Sequence, residues 1–178
     1  MQALQDFLKT NKVRSRKLLQ KFQKDKDLYL AAQKEGIWIP FVQINAYKYT
    51  VKVDGYDAPF GEEWDQVMEY EGFNIEVKDG LWIAAISCFH TFDADKYHGT
   101  ELSYQTYDGK IGYLGYKYDV PAGKYLFAIR GHARRQKLED ENLNYGFSFS
   151  LNKVGEFGDF KNPREEEYDF NIGQMQLV

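Results

Sequence analysis

Among the 178 residues, one cysteine and three histidines carry the most recognisable chemistry. Cys88 and His90 alternate in an apolar run and on a strand would share a face, with His98 and His132 further along. Three or four such N and S donors could make a tetrahedral zinc site, but the spacing matches no familiar ligand pattern, and a lone cysteine in an apolar strand usually serves as core. A Cys–His nucleophilic pair needs a glycine elbow or an oxyanion feature beside the thiol, and neither follows Cys88. There is no GxxxxGK or GxGxxG phosphate loop. Arg130, Arg134 and Arg135 could clamp an anion or a nucleic-acid strand, although Glu139, Asp140 and Glu141 just beyond offer them partners within the chain. From these residues we expect no metal and no cofactor, and an enzyme ranks third among the functional readings, behind a binding domain and an interaction module.

The aromatic residues are a more distinctive resource: 3 Trp, 14 Tyr and 13 Phe. A cavity lined by ring faces, with a carboxylate within reach, binds organic cations through the ring quadrupole and the charge. Trp82, Tyr104, Tyr116, Tyr118 and Tyr125 fall on segments that read as strands and are the candidate lining. Strands favour such residues for packing alone. Yet fourteen tyrosines, each with a hydroxyl to satisfy, cannot all lie in deep core.

Charge divides the chain. Residues 1–36 hold nine Lys/Arg against four Asp/Glu, and residues 37–178 hold fourteen against twenty-three, so a +5 segment precedes a −9 segment in a chain of net −4. Composition shifts at the same place, which sets a boundary near residues 36–40 and two parts, 1–36 and 37–178. In the first part Leu4, Phe7, Leu8, Leu18, Leu19, Phe22, Leu28, Ala31 and Ala32 recur at helical spacing. The pattern predicts a first short helix ending over residues 6–9, a break at Thr10-Asn11, and further helices over residues 15–24 and 28–34, with Asp25 or Asp27 as a cap and a stop at Gly36. Lys12, Arg14, Arg16, Lys17 and Lys21 cluster there and are the candidate nucleic-acid contacts; the alternative is a helical arm with solvated lysines. With one cysteine, no internal disulfide can form, and no apolar run approaches the roughly 20 residues of a membrane span. We therefore expect a soluble, cytoplasmic chain with no membrane contact.

The second part reads as strands over residues 41–44, 47–53, 73–77, 81–89, 102–107, 111–118, 124–130, 145–154 and 168–172. Asp54-Gly55, Asp79-Gly80 and Asp108-Gly109 are turn signals, the last two being hairpin dipeptides. The nearly unbroken apolar run LWIAAISCF predicts a central strand at residues 81–89, and its likeness to KYLFAIRGH suggests an internal duplication. Trp64, Val67, Met68 and Glu71 at three-four spacing predict a covering helix over residues 62–71, and residues 132–144 could hold another of about two turns. The expected class is α+β, a mostly antiparallel sheet with one or two covering helices and a short helical N-terminal segment.

Two resemblances add expectations. The stretch DGKIGYLGYKYDVPAGKYLFAIRGHAR, with Val120, Pro121, Ala122, Gly123, Tyr125 and Gly131, resembles the middle of the GyrI-like (AraC-type effector-binding) domain, over about residues 110–172. That resemblance implies two strand-helix-strand-strand repeats around an aromatic cleft that takes small, often cationic or apolar ligands. It also implies a cleft carboxylate, for which Glu166 in the Glu166-Glu167-Tyr168 run is the match; unaided, the run Glu165-Glu166-Glu167 reads as a solvated loop. The Pro that commonly follows is absent, and the second repeat would be truncated. KVRSRKLLQKFQ with DLYLAAQKEGIWIP more loosely resembles two helices of a winged helix-turn-helix. Together these imply a non-enzymatic effector-binding domain of a transcriptional regulator, holding a small organic ligand, cationic or not, and touching DNA or a protein through its N-terminal arm. The alternative is a β-rich protein-protein interaction module without a ligand pocket. A cleft with Glu166 pointing in would favour the first, and an exposed apolar patch the second.

Overall fold

The structure is a computed structural model and describes residues 1–41 and 44–175. Three helices come first: α1 (Gln2–Thr10), α2 (Leu18–Lys24) and α3 (Lys26–Lys34). Each buries the face its spacing marks: Ala3, Leu4, Phe7 and Leu8 on α1, Leu18 and Phe22 on α2, Leu28, Tyr29, Ala32 and Gln33 on α3. Asp25 caps α3 by accepting from the Leu28 N–H at 3.1 Å. Gly36 ends it at φ +69°, and its carbonyl accepts from the Glu76 N–H at 2.7 Å. A Cβ there would meet the Glu76 nitrogen at 2.9 Å. Glycine at this point therefore provides both the left-handed turn and the close approach that docks the helices on a strand.

Seven strands follow among the described residues: β1 (Thr50–Val53), β2 (Trp64–Val77), β3 (Leu81–Ala84), β4 (Glu101–Gln105), β5 (Ile111–Tyr118), β6 (Gly123–Arg134) and β7 (Tyr145–Val154). They form a four-stranded sheet in the order β1-β7-β6-β2 and a three-stranded sheet in the order β3-β5-β4. Every pairing is antiparallel except β1 with β7. The class is α+β with mostly antiparallel sheets and short N-terminal helices, as the sequence pattern indicates. No described helix is long and apolar enough to cross a membrane.

Two hydrophobic cores result. One face of the four-stranded sheet packs Val53, Phe73, Ile75, Phe127, Ile129, Phe147 and Phe149 against Phe170 and Ile172, which lie outside any strand. The other core joins the three helices to Trp38, Phe92, Tyr97, Leu102 and Trp82, with Phe22 stacked on Trp38 at 4.9 Å. The boundary at residues 36–40 thus separates helices from strands, while the second core draws on both sides of it.

Several local expectations are corrected. Residues 62–71 form no helix, because a bulge between Gln66 and Met68 of β2 inserts Val67 and brings two neighbouring apolar residues toward the core, imitating helical spacing. The run at 81–89 is not a central strand: β3 lies at a sheet edge, and Ile86–Phe89 is a 3-10 turn. Its apolar character is continuous because Leu81 belongs to one core while Trp82, Cys88 and Phe89 pack on the other. The proposed duplication with β6 therefore has no structural counterpart. Asp79-Gly80 carries the chain from one sheet to the other instead of closing a hairpin. Residues 135–144 hold only a 3-10 turn at Glu141–Leu143, and residues 168–172 pack apolar side chains without joining a ladder. The predicted strand at 41–44 includes Val42 and Gln43, which lie outside the described residues. Phe149 is buried and stacked on Phe127 at 5.2 Å. Phe149→Ala should lower stability by about 3–5 kcal/mol, read as a shifted urea midpoint, if the sheet packs this way.

Candidate functional site

The six residues expected to line an aromatic cleft occupy five places. Trp82 stands edge-on to Tyr97 at 5.1 Å in the helical core, its indole N–H buried without a partner. Tyr125 is buried, its hydroxyl donating to the Pro121 carbonyl at 2.8 Å. Tyr118 is half-buried, edge-on to Tyr56, and burial and Asp57 raise its pKa. Tyr104 and Tyr116 lie exposed on the β4–β5 hairpin, and Glu166 is exposed in a turn. Tyr104, Tyr116 and Tyr118 lie on the β4–β5 hairpin and Trp82 on the neighbouring β3, but Trp82 is turned into the helical core and Tyr104 lies on the face opposite Tyr116, with Tyr125 and Glu166 elsewhere, so the six make no common cleft.

The basic cluster is partly engaged within the chain. Arg16 pairs with Asp93 at 2.8 Å and donates to the Phe92 carbonyl at 3.2 Å, and Lys21 pairs with Asp25 at 2.7 Å. Lys12, Arg14 and Lys17 are exposed. Cys88 lies on the 3-10 turn, not on a strand beside His90, and burial raises its thiol pKa. Among the described residues no three His, Cys, Asp or Glu side chains are grouped to hold a metal ion.

Two surfaces do bring chemistry together. The first is the β4–β5 hairpin, where Ile111 is 65% exposed, Tyr113 49%, Tyr104 45% and Tyr116 39%. Tyr113 stacks on Tyr116 at 5.5 Å. The register puts Ser103 opposite Tyr113 and Gln105 opposite Ile111, so the outward face is aromatic and aliphatic beside small polar groups. Tyr104 crosses over Gly112 on the other face. The Asp108-Gly109 turn is held by the Thr106 N–H donating to the Lys110 carbonyl at 2.8 Å. Lys110 pairs with Asp108 at 2.8 Å, and β4 is an edge strand.

The second is the polar face of the four-stranded sheet. Strand alternation that sends Ile129, Phe147 and Phe149 into the core sends Lys52, Ser148, Arg130 and His132 to the opposite side. Lys52, Ser148, Arg130 and Glu69 are successive cross-strand partners, forming one row across all four strands. Residues 54–63 fold over this face. Asp57 accepts from the Val53 N–H at 2.8 Å, and Lys52 donates to the carbonyls of Ala58 at 2.7 Å and Pro59 at 3.0 Å. Phe60 lies on the His132 ring at 4.2 Å. It can do so because the cross-strand partner of His132 is Gly146, where a Cβ would come within 2.5 Å of the Phe60 ring. Between loop and sheet lies an open cleft of about 420 Å³ bounded also by Trp64 and Gln66.

His132 is 9% exposed, and its Nε2 lies 2.8 Å from the Ser148 hydroxyl. Burial, then the nearby charge of Arg130, brings its pKa down to about 4, and Lys52 adds to this against the opposing Asp54. The imidazole is neutral at pH 7. Such a contact could pass a proton, but Ser148 sits mid-strand under the loop, and so weak a base draws little charge onto the hydroxyl. Sequence reasoning missed this pair because the two residues meet only through the β6–β7 register. The signal was the polar residues alternating inside apolar strands, in AIRGH and FSFS.

Neutral His132 in the folded chain and a protonatable histidine in the unfolded chain make stability fall with acid. This group's contribution is complete above pH 6.5 and is lost as pH falls toward about 4. At about 1.4 kcal/mol per pH unit the loss is of order 3 kcal/mol. Urea titrations at pH 7 and pH 4 should show His132→Gln losing less stability than the wild type by roughly that amount. No protein-family model matches this chain, and no curated protein or solved structure matches it.

Proposed function

We propose that this chain is a protein-interaction module that docks through the β4–β5 hairpin, and that its partner offers a basic, extended segment. The carrying observation is the exposed Tyr113–Tyr116 stack beside Ile111, on a hairpin whose outer strand has a free edge. Tyrosines give large contact area at small entropic cost, which is why they recur in interface cores. Their ring faces attract Lys and Arg. The free backbone of β4 can hydrogen-bond an added strand, and alternate side chains of that strand would meet the tyrosines. The −9 charge of residues 37–178 favours a basic partner over a second copy of the same acidic body.

The effector-binding reading implied by the resemblance would need Trp82, Tyr104, Tyr116, Tyr118, Tyr125 and Glu166 to converge. Their dispersal leaves the interaction reading better supported. Fluorescence anisotropy with labelled extended peptides tests it, using alternating Lys/Arg–Val sequences and acidic counterparts. The basic series should bind, weaken as salt rises, and weaken at least about tenfold, about 1.4 kcal/mol, in the double variant Tyr113→Ser/Tyr116→Ser. Equal binding of both series, binding unchanged in the variant, or no binding at all would overturn the proposal. So would sedimentation showing a wild-type dimer that the variant abolishes, because the face would then belong to a second copy.

A further inference from the structure

The cleft under residues 54–63 is a separate feature, and we infer that it binds a neutral polyhydroxylated ligand, a sugar or related polyol. At about 420 Å³ it falls within the roughly 300–1,000 Å³ range of small-molecule sites. Its charges are already matched. Arg130 is held between Glu69 at 2.8 Å and Asp54 at 3.0 Å, and Lys52 is bound to two loop carbonyls. Among the residues that line the cleft Lys52 and Arg130 balance Asp54 and Asp57, with Glu69 outside the lining, and the imidazole behind them is neutral at pH 7. An anion would have to draw Arg130 from its carboxylates, and a cation would have to draw Asp54 from Arg130. The first exchange displaces two carboxylates at once, and the second leaves the guanidinium, 27% exposed, with Glu69 alone.

Hydroxyls need no such exchange. A carboxylate holding one hydrogen bond still has lone pairs to accept from an O–H, and a guanidinium with two N–H groups engaged still has three to donate to an oxygen. A polyol supplies donors and acceptors on adjacent carbons and so matches this alternating lining. The strand register and the pinned loop fix those groups beforehand, which lowers the ordering cost of binding. The aromatic walls agree. Trp64 and Phe60 pack at 4.8 Å and both line the cleft, giving it an apolar wall. Their cation-attracting faces are taken by the protein itself, with Arg134 over Trp64 at 4.7 Å and Lys52 over Phe60 at 4.9 Å. An organic cation would compete with both, whereas a neutral ring would not.

Saturation-transfer NMR of the full chain, with a panel of monosaccharides, disaccharides and sorbitol, tests the inference; inorganic phosphate and tetramethylammonium serve as charged probes. At least one saccharide or polyol should bind saturably with Kd of about 1 mM or tighter. Trp64→Ala should weaken it at least tenfold. Gln66→Ala, at an exposed position, should weaken it several-fold with the melting temperature unchanged, which guards against a Trp64 variant that fails to fold. Saturable binding of phosphate or tetramethylammonium without any sugar would overturn the inference. So would no binding of any neutral probe, or sugar binding that both variants leave intact. Tyr113→Ser/Tyr116→Ser should leave sugar binding unchanged, which separates this site from the hairpin.

Discussion

Strand β6 hydrogen-bonds to β2 on one side and to β7 on the other along nearly its whole length, and its alternation sorts the chemistry of the molecule. Tyr125, Phe127, Ile129 and Ala133 go to the core, while Arg130, His132 and Arg134 go to the opposite face. A one-residue slip would put guanidinium groups into an aromatic core and phenylalanines into the cleft. The bulges of β2 absorb the mismatch between a fourteen-residue strand and its twelve-residue partner without such a slip. Core and cleft are thus two readings of one register, and the polar row Lys52, Ser148, Arg130, Glu69 exists only because the apolar row beneath it is fixed.

The helical segment is tied to β2 and to the segment after β7 at specific points. Gly36 accepts from β2, the Lys34 carbonyl accepts from Asn74 at 3.3 Å, and Tyr29 donates to Asn162 at 2.8 Å. Tyr29 also lies beneath Arg164, its ring centroid 4.0 Å from the guanidinium carbon, and burial pushes its hydroxyl pKa up to about 12. On the other side, Arg16 fastens the loop after α1 to residues 92 and 93. Part of the basic cluster that could have met phosphate therefore serves to close the second core.

What the sequence made legible follows from local physics. Asp25 and Gly36 mark helix ends whose orphan groups need those residue types, and Asp108-Gly109 sits between alternating runs that pair directly across it. Strands β6 and β7 alternate cleanly and were readable. The errors arise where a neighbour, not the segment itself, decides the pattern. Val67 is apolar because a bulge turns it inward, the run from Leu81 to Phe89 is apolar because two cores flank it, and Phe170 is buried with no ladder to announce it. The candidate cleft was illegible for a stronger reason. Its parts come from four strands and a loop, and no local window contains His132 together with Ser148 and Phe60.

The two candidate surfaces differ in how their polar groups are satisfied, and that difference decides what each can hold. In the cleft the charges are spent on one another and on the loop backbone, so the groups left over are single hydrogen-bond sites at fixed positions. Such a lining discriminates by geometry and tolerates only a ligand that leaves the ion pairs standing. On the hairpin, ring faces and the free edge of β4 are turned to solvent, and water is easily removed from an aromatic face but not from a charge. A large partner can cover that face and gain from area, whereas a small ligand there would gain little from a surface without walls. A polar cleft that is internally neutral and an aromatic ridge that is internally unpaired are therefore suited to different classes of ligand on one small protein.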